Sequence, residues 1–283
     1  MNATTLPLCC TPTAFKLLAS QVKQIESSDA LLSGAIAIAM HQLENVDPAA
    51  VDGKLQQYAD TVRARVRGHQ PQAILAHLHE LLFEEEKFTG NTDDYYAPAN
   101  SYLPVVLETR RGLPITLSLV YKTVAERLGL KCWGVGLPGH FLCAVQEKSD
   151  DEESVMLVDP FAGGRVLTPD EAHQRMQEMF GPEVEWSDEF LQPVSNRHWL
   201  TRMLQNLLRV FGSNSHYADV AAILEMEMLL WPAQDHLQRD LALVLARIGL
   251  SRPASIWLDA YLKNNPDDPQ KDDLEQLRNV LLT

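Results

Sequence analysis

The fold turns on one stretch, Asn100 to Gly164, and within it on two pieces. These are Arg110-Arg111-Gly112-Leu113-Pro114-Ile115-Thr116-Leu117-Ser118, and Leu137-Pro138-Gly139-His140-Phe141 followed by Val158-Asp159-Pro160-Phe161. The first turns through Gly112 and Pro114 into an apolar period, Leu117, Val120, Tyr121, Val124, Ala125 and Leu128, that ends at Gly129. That pattern predicts a buried helix of about four turns with a glycine stop. Trp133 to Leu137, Phe141 to Val145 and Val155 to Val158 are short apolar runs and predict strands, with the acidic tip Glu147 to Glu153 as a solvated hairpin loop. A hairpin centred near residue 150 places His140, at the start of one strand, across from Asp159, at the end of its partner. An imidazole there can donate to the carboxylate.

Outward from this unit the chain reads as helices. Ala14 to Ile25 and Ala30 to Leu43 have amphipathic spacing, the second entered through Ser27-Ser28-Asp29; Asp47-Pro48 restarts a helix to about Val66; and Pro71 opens another. Glu84 to Asn100 is polar and turn-rich, a long connection of the kind that carries function as often as its tyrosines merely pack. Thr168-Pro169-Asp170-Glu171 supplies a cap, a proline and two acids for a helix to about Phe180, which Gly181-Pro182 breaks. A connector carrying Trp186 and Phe190 follows, and a second domain begins near residue 193. There Pro232 and Pro266 lie 34 residues apart. This is the tetratricopeptide period, with Ala242, Leu245, Gly249, Ala254 and Leu258 at packing positions and Glu227 where the preceding repeat wants a small residue. The reading is one good repeat, one degenerate one and a capping helix from about Pro269 to Leu282.

Several words of this sequence resemble a known family. They are Lys87-Phe88-Thr89-Gly90-Asn91, Asn100-Ser101-Tyr102-Leu103, Arg111 to Ser118, Pro138-Gly139-His140-Phe141 and Asp159-Pro160-Phe161-Ala162-Gly163-Gly164. In order and spacing they are similar to the Sir-B type bacterial proteins, in which a transglutaminase-like domain precedes tetratricopeptide repeats. The resemblance, which covers most of the chain from about residue 30 onward, implies an α+β, mainly helical transglutaminase-like fold with a small antiparallel sheet and an all-α repeat tail; the residues themselves divide the chain into a loose leader 1–12, a first domain 13–192 and the tail 193–283.

Composition sets the remaining bounds. The chain has 283 residues, 46% hydrophobic and 22% charged, which suits a globular protein with a substantial core. A net charge of −14 opposes a broad surface for nucleic acid or anionic lipid. No apolar run reaches bilayer length and no basic residues precede a hydrophobic segment at the N-terminus, so the expectation is a cytoplasmic chain without membrane contact. Cys9, Cys10, Cys132 and Cys143 lack metal-site spacing and are expected as reduced thiols, the last two as small hydrophobes on strands. His77 and His79 cannot share a helical face, so no metal and no cofactor is expected.

Cysteine-dependent acyl transfer needs a thiol at the start of a buried helix, a histidine base and an acid to orient it. His140 and Asp159 fit the last two roles. The thiol is missing: the helix begins Pro114-Ile115-Thr116-Leu117-Ser118, where only Thr116 or Ser118 offers a weaker alcohol. Asn100, Ser101, Arg111 and Gly139 are the candidate cleft residues, and Arg110 and Arg111 either bind a carboxylate or phosphate or cap neighbouring acids. Two function classes follow. One is an interaction protein that binds a protein or peptide through its cleft and repeat groove; the other is a hydrolase or acyltransferase using Ser118 or Thr116 with His140 and Asp159. A redox or metal role for Cys9-Cys10 is a third, weaker reading.

Overall fold

The computed structural model describes residues 6–68, 70–148, 153–181, 183 and 185–282; the centre of the acidic tip, residues 149–152, and Pro182 of the helix break lie outside them. The first layer is helical: α1 (Pro12–Gln21), α2 (Ser28–Met40), α3 (Pro48–Arg65) and α4 (Pro71–His79), the last continuing into a π-helical turn, Glu80–Glu85. Local chemistry explains their starts. Ser27 accepts from the Ala30 amide, Asp47 accepts from the Ala49 amide, and Pro48 and Pro71 stand in first turns where no donor is needed.

Two residues of β1 (Thr89–Gly90) pair in parallel with β2 (Arg111–Gly112), an element without sequence signal. Between them α5 (Leu103–Thr109) ends at Arg110 in the left-handed conformation, φ 62°. The apolar helix is α6 (Pro114–Arg127), buried on nearly every face. Against it lies an antiparallel sheet in the order β3 (Cys132–Val135), β4 (Leu142–Lys148), β5 (Glu153–Asp159) and β6 (Arg165–Leu167). Side chains alternate as a pleat requires. Cys143, Val145 and Val158 join the main core with α6, whereas Leu142, Ala144 and Leu157 turn to the other face, under Ala172 and Met176 of α7 (Pro169–Phe180). Thr168 and Glu171 close a full capping box at the start of α7.

The hairpin register differs from the expectation. Cys143 pairs with Val158, which carried outward sets Phe161, not Asp159, across from His140, and β4 starts only at Leu142. His140 sits in the turn before the strand and reaches Asp159 diagonally.

Five helices complete the chain: α8 (Asn196–Ser213), α9 (Tyr217–Leu230), α10 (Asp235–Arg247), α11 (Ser251–Asn264) and α12 (Lys271–Leu281). The backbone repeats itself at the proline spacing. Ser215 and Gly249 both have positive φ, 59° and 80°. Trp231 and Asn265, 34 positions apart, end their helices with φ,ψ of −129°,65° and −126°,65°. Ala242, Leu245, Ala254 and Leu258 are fully buried.

The core does not stop at residue 192. Trp199 of α8 packs on Phe141 with ring centroids 4.4 Å apart, and it occupies the space where a Cβ at Gly134 would fall. A Cβ at Gly34 of α2 would meet Leu200 at 2.5 Å. At the other end, within the expected leader, the amides of Leu8, Cys9 and Cys10 donate to the buried Glu225 carboxylate at 2.6, 3.1 and 2.8 Å, while residues 1–5 lie outside the described residues. The tail and the N-terminal helices are therefore one packed body with the sheet.

Candidate functional site

Asp159 ends β5, and Pro160 then forces the chain into a 3-10 turn, Pro160–Ala162. The carboxylate caps that turn: Oδ1 accepts from the amides of Phe161 at 3.0 Å and Ala162 at 3.1 Å. Its other oxygen, Oδ2, accepts from His140 Nε2 at 2.9 Å and from the Arg175 guanidinium of α7. Burial pushes the Asp159 pKa up, but the His140 bond and charge, the Arg175 charge and the Ala162 amide outweigh it and hold the group below its ordinary value. Asp159 is thus fully buried and ionised.

His140 is 9% exposed, and its ring stands edge-on to Phe161, with centroids 6.0 Å apart. Nε2 is the nitrogen turned to Asp159, and among the described residues Nδ1 has no hydrogen-bond partner. The Phe161 ring in turn fills the space a side chain at Gly90 would need. Three of the sequence words therefore meet physically: the Gly90 strand makes room for Phe161, which packs against His140.

A cavity of about 340 Å³ opens beside His140. One wall is the loop of Tyr95, Tyr96, Ala97 and Ser101; another is Leu113, Pro114 and Ile115 at the start of α6. Gly139, His140 and Phe141 form the floor, and Arg202, Gln205, Asn206, Arg209 and Val210 of α8 close it. Of the residues expected at a site, His140, Gly139 and Ser101 line this space, with Asp159 behind the histidine.

The structure leaves the others elsewhere. Ser118 is buried and donates to Phe141 O at 3.4 Å; Thr116 is buried with its hydroxyl unpartnered, and neither lines the cavity. They sit one turn or less inside α6, where the helix barrel turns them into the core. Asn100 organises the loop instead, donating to Asp94 O at 2.7 Å and Tyr95 O at 3.1 Å and accepting from Asn91 at 2.9 Å. Arg111 reaches Gly90 O at 3.3 Å, and Arg110 pairs with Glu86 at 2.6 Å.

None of the four thiols lines the cavity. Cys132 and Cys143 are buried on strands, Cys143 donating to Ser118 O at 3.3 Å, and burial pushes Cys132 well above its ordinary pKa. Burial and the Glu225 charge push Cys9 to about 11 and Cys10 to about 12. Among the described residues no three His, Cys, Asp or Glu side chains are grouped to hold a metal ion, and no helix is long and apolar enough to cross a membrane.

Sequence reasoning did not find Arg175 or the α8 wall. Arg202, Gln205, Asn206 and Arg209 have the spacing of one helical face, which from sequence alone is the solvated side of an amphipathic helix. Only the packing of Leu200 on the opposite face, against Gly34 of α2, and of Trp199 beside the polar stripe, against Phe141, shows that this polar side closes a cavity.

Comparison with known proteins agrees with this architecture. Residues 49–205, more than half of the chain, match the family model described as Transglutaminase-like superfamily. A UPF0162 protein of Xylella fastidiosa (strain 9a5c) is 33% identical over 240 residues, covering 83% of this chain and 84% of that one. A UPF0162 protein of Pseudomonas aeruginosa is 30% identical over 184 residues, 65% of this chain and 66% of that one. F-box only protein 21 of Mus musculus is 32% identical over 168 residues, 57% of this chain but 26% of that protein. No solved structure matches the chain. The chain belongs to the transglutaminase-like superfamily and, within it, to the UPF0162 proteins.

Proposed function

We propose that this protein is a cytoplasmic binding protein of the Sir-B type, in which a transglutaminase-like cleft without a nucleophile and a tetratricopeptide-like tail together hold a protein or peptide segment. One observation carries the reading. The wall of the cavity beside His140 that belongs to the start of α6 consists of Leu113, Pro114 and Ile115, with neither thiol nor hydroxyl. A base and its orienter stand beside a space where the start of α6, the place of the nucleophile in cysteine-dependent acyl transfer, offers no attacking atom; the hydroxyls that line it, of Ser101, Tyr95 and Tyr96, come from the loop wall. The opposite wall is α8, so the cleft is shared by the domain and the first helix of the repeating tail. That suits recognition of an extended segment running from one to the other.

The hydrolase alternative assigns the nucleophile to Ser118 or Thr116, both of which lie off the cavity. The test is peptide-display selection on the full chain with Asn206→Trp, whose indole fills the cleft, as the control. The expected result is a set of peptides that bind the native chain and lose binding to Asn206→Trp. Failure to enrich any peptide, or enrichment indifferent to Asn206→Trp, overturns the proposal. So does labelling by an alcohol-directed fluorophosphonate that His140→Ala abolishes.

A further inference from the structure

We propose that the cavity is a carboxylate-binding site, and that the segment it takes is held by an acidic group. The inference rests on the cleft-binding reading and names the chemistry of the ligand. The protein has 38 acidic and 24 basic residues, yet no Asp or Glu lines this cavity, whereas Arg202, Arg209 and His140 do. Several arginines elsewhere find acids, Arg65 with Glu85, Arg110 with Glu86, Arg127 with Asp52 and Arg278 with Asp259, and others, such as Arg111 and Arg197, rest on backbone carbonyls; what sets Arg202 and Arg209 apart is that two cations share one acid-free cavity. Among the described residues neither Arg202 nor Arg209 makes an ion pair. Asp159, behind His140, already accepts from four donors.

Arg202 is held rather than loose. Its Nη2 donates to Leu137 O at 3.0 Å and His140 O at 3.1 Å, and the guanidinium stacks over Phe141 at 5.1 Å. Those contacts fix its direction without neutralising its charge. Burial pulls its pKa below the ordinary value with no carboxylate to restore it. A partly desolvated cation without a counter-ion is unfavourable in the empty site and favourable in a site that receives an anion. The positive end of the fourteen-residue helix α6 adds to the field, since Pro114 and Ile115 line the same space. Asn206 supplies a neutral amide between the two arginines, Gln205 being engaged with Glu227, and a guanidinium fork matches the two oxygens of a carboxylate.

The test uses the full chain, labelled with nitrogen-15, and three probes: acetyl-GGEGG-amide with a side-chain carboxylate, acetyl-GGGGG with a free C-terminal carboxylate, and the neutral acetyl-GGQGG-amide. Saturable shifts of the Ile115, Gly139 and His140 amide signals are expected with one or both carboxylate probes and not with the neutral one; which carboxylate responds identifies the source. Arg209→Glu, at an exposed position, should weaken that binding about tenfold or more, and Arg202→Gln should do likewise. Equal shifts from the neutral probe, silence from both carboxylates, a response to inorganic phosphate alone, or indifference to Arg209→Glu would each overturn the proposal. Selected peptides that are neutral, need the cleft and ignore Arg209→Glu would overturn it while leaving the cleft-binding reading intact. Carboxylate binding in a chain that selects no peptides would do the reverse.

Discussion

His140 Nε2 lies 2.9 Å from Asp159 Oδ2, and the same carboxylate keeps three further donors, the Phe161 and Ala162 amides and the Arg175 guanidinium. The two members of the pair are therefore unequal in structural weight. His140→Ala leaves Asp159 with most of its partners and should cost about 1–2 kcal/mol. Asp159→Ala strands a buried histidine, an arginine and two amides and should cost about 3–5 kcal/mol. Denaturant midpoints of the two variants measure this, and equal losses would contradict it.

The Asp159 pKa is held low in the fold, so the sign of its linkage is fixed. Its contribution is present above the unfolded carboxyl pKa, about 3.9, and is lost as pH falls through the lower folded value. Stability of the native chain should drop more steeply below about pH 4 than that of Asp159→Asn. Parallel acid limbs in the two melts would count against the ionised assignment.

Glu227 carries the opposite sign. It is 3% exposed, one carboxyl oxygen has no partner, and burial pushes its pKa from 4.5 to about 7. Between those values the folded state holds the extra proton, so stability is greatest at the acid end of the window and falls as pH rises through it. The loss should be on the order of 3 kcal/mol. Glu227→Gln should abolish that decline and be the more stable protein at pH 8; a native chain whose stability is flat from pH 5 to 7.5 would refute this.

Glu225 holds the N-terminal segment through three backbone amides. Glu225→Ala should leave those donors to water, speed amide hydrogen exchange at Leu8, Cys9 and Cys10, and cost about 2–3 kcal/mol. Unchanged protection at these three positions would show that the segment is held by something else.

Gly134 faces the Trp199 ring. Gly134→Ala must move the indole that joins tail to sheet, at about 3 kcal/mol, and should alter the near-ultraviolet circular dichroism. A variant with native melting and an unchanged spectrum would contradict the joined core.

What the sequence disclosed was what local chemistry determines. The Ser27, Asp47 and Thr168 caps placed their helices to within a few residues, and the period from Leu117 to Leu128 gave α6. His140 and Asp159 were legible as neighbours, although the ladder register was off because the turn that sets it gives no unique count. Elements made by distant partners left no trace: β1 with β2, the three residues of β6, and Arg175 reaching back to Asp159. Ser118 and Thr116 were plausible by position in the chain, and only the direction of each side chain on a helix buried all round removes them from the cavity. The α8 wall was hidden for the converse reason, since a polar stripe looks the same whether water or a cleft lies against it.

The central claim is that the cleft binds a segment without transforming it. The most direct test is intact-mass spectrometry of the full chain and a selected peptide, incubated together at a concentration where binding is saturated. The prediction is that both masses stay unchanged over hours while the complex persists. A shortened peptide, or a protein carrying the mass of an acyl adduct that His140→Ala prevents, would contradict it.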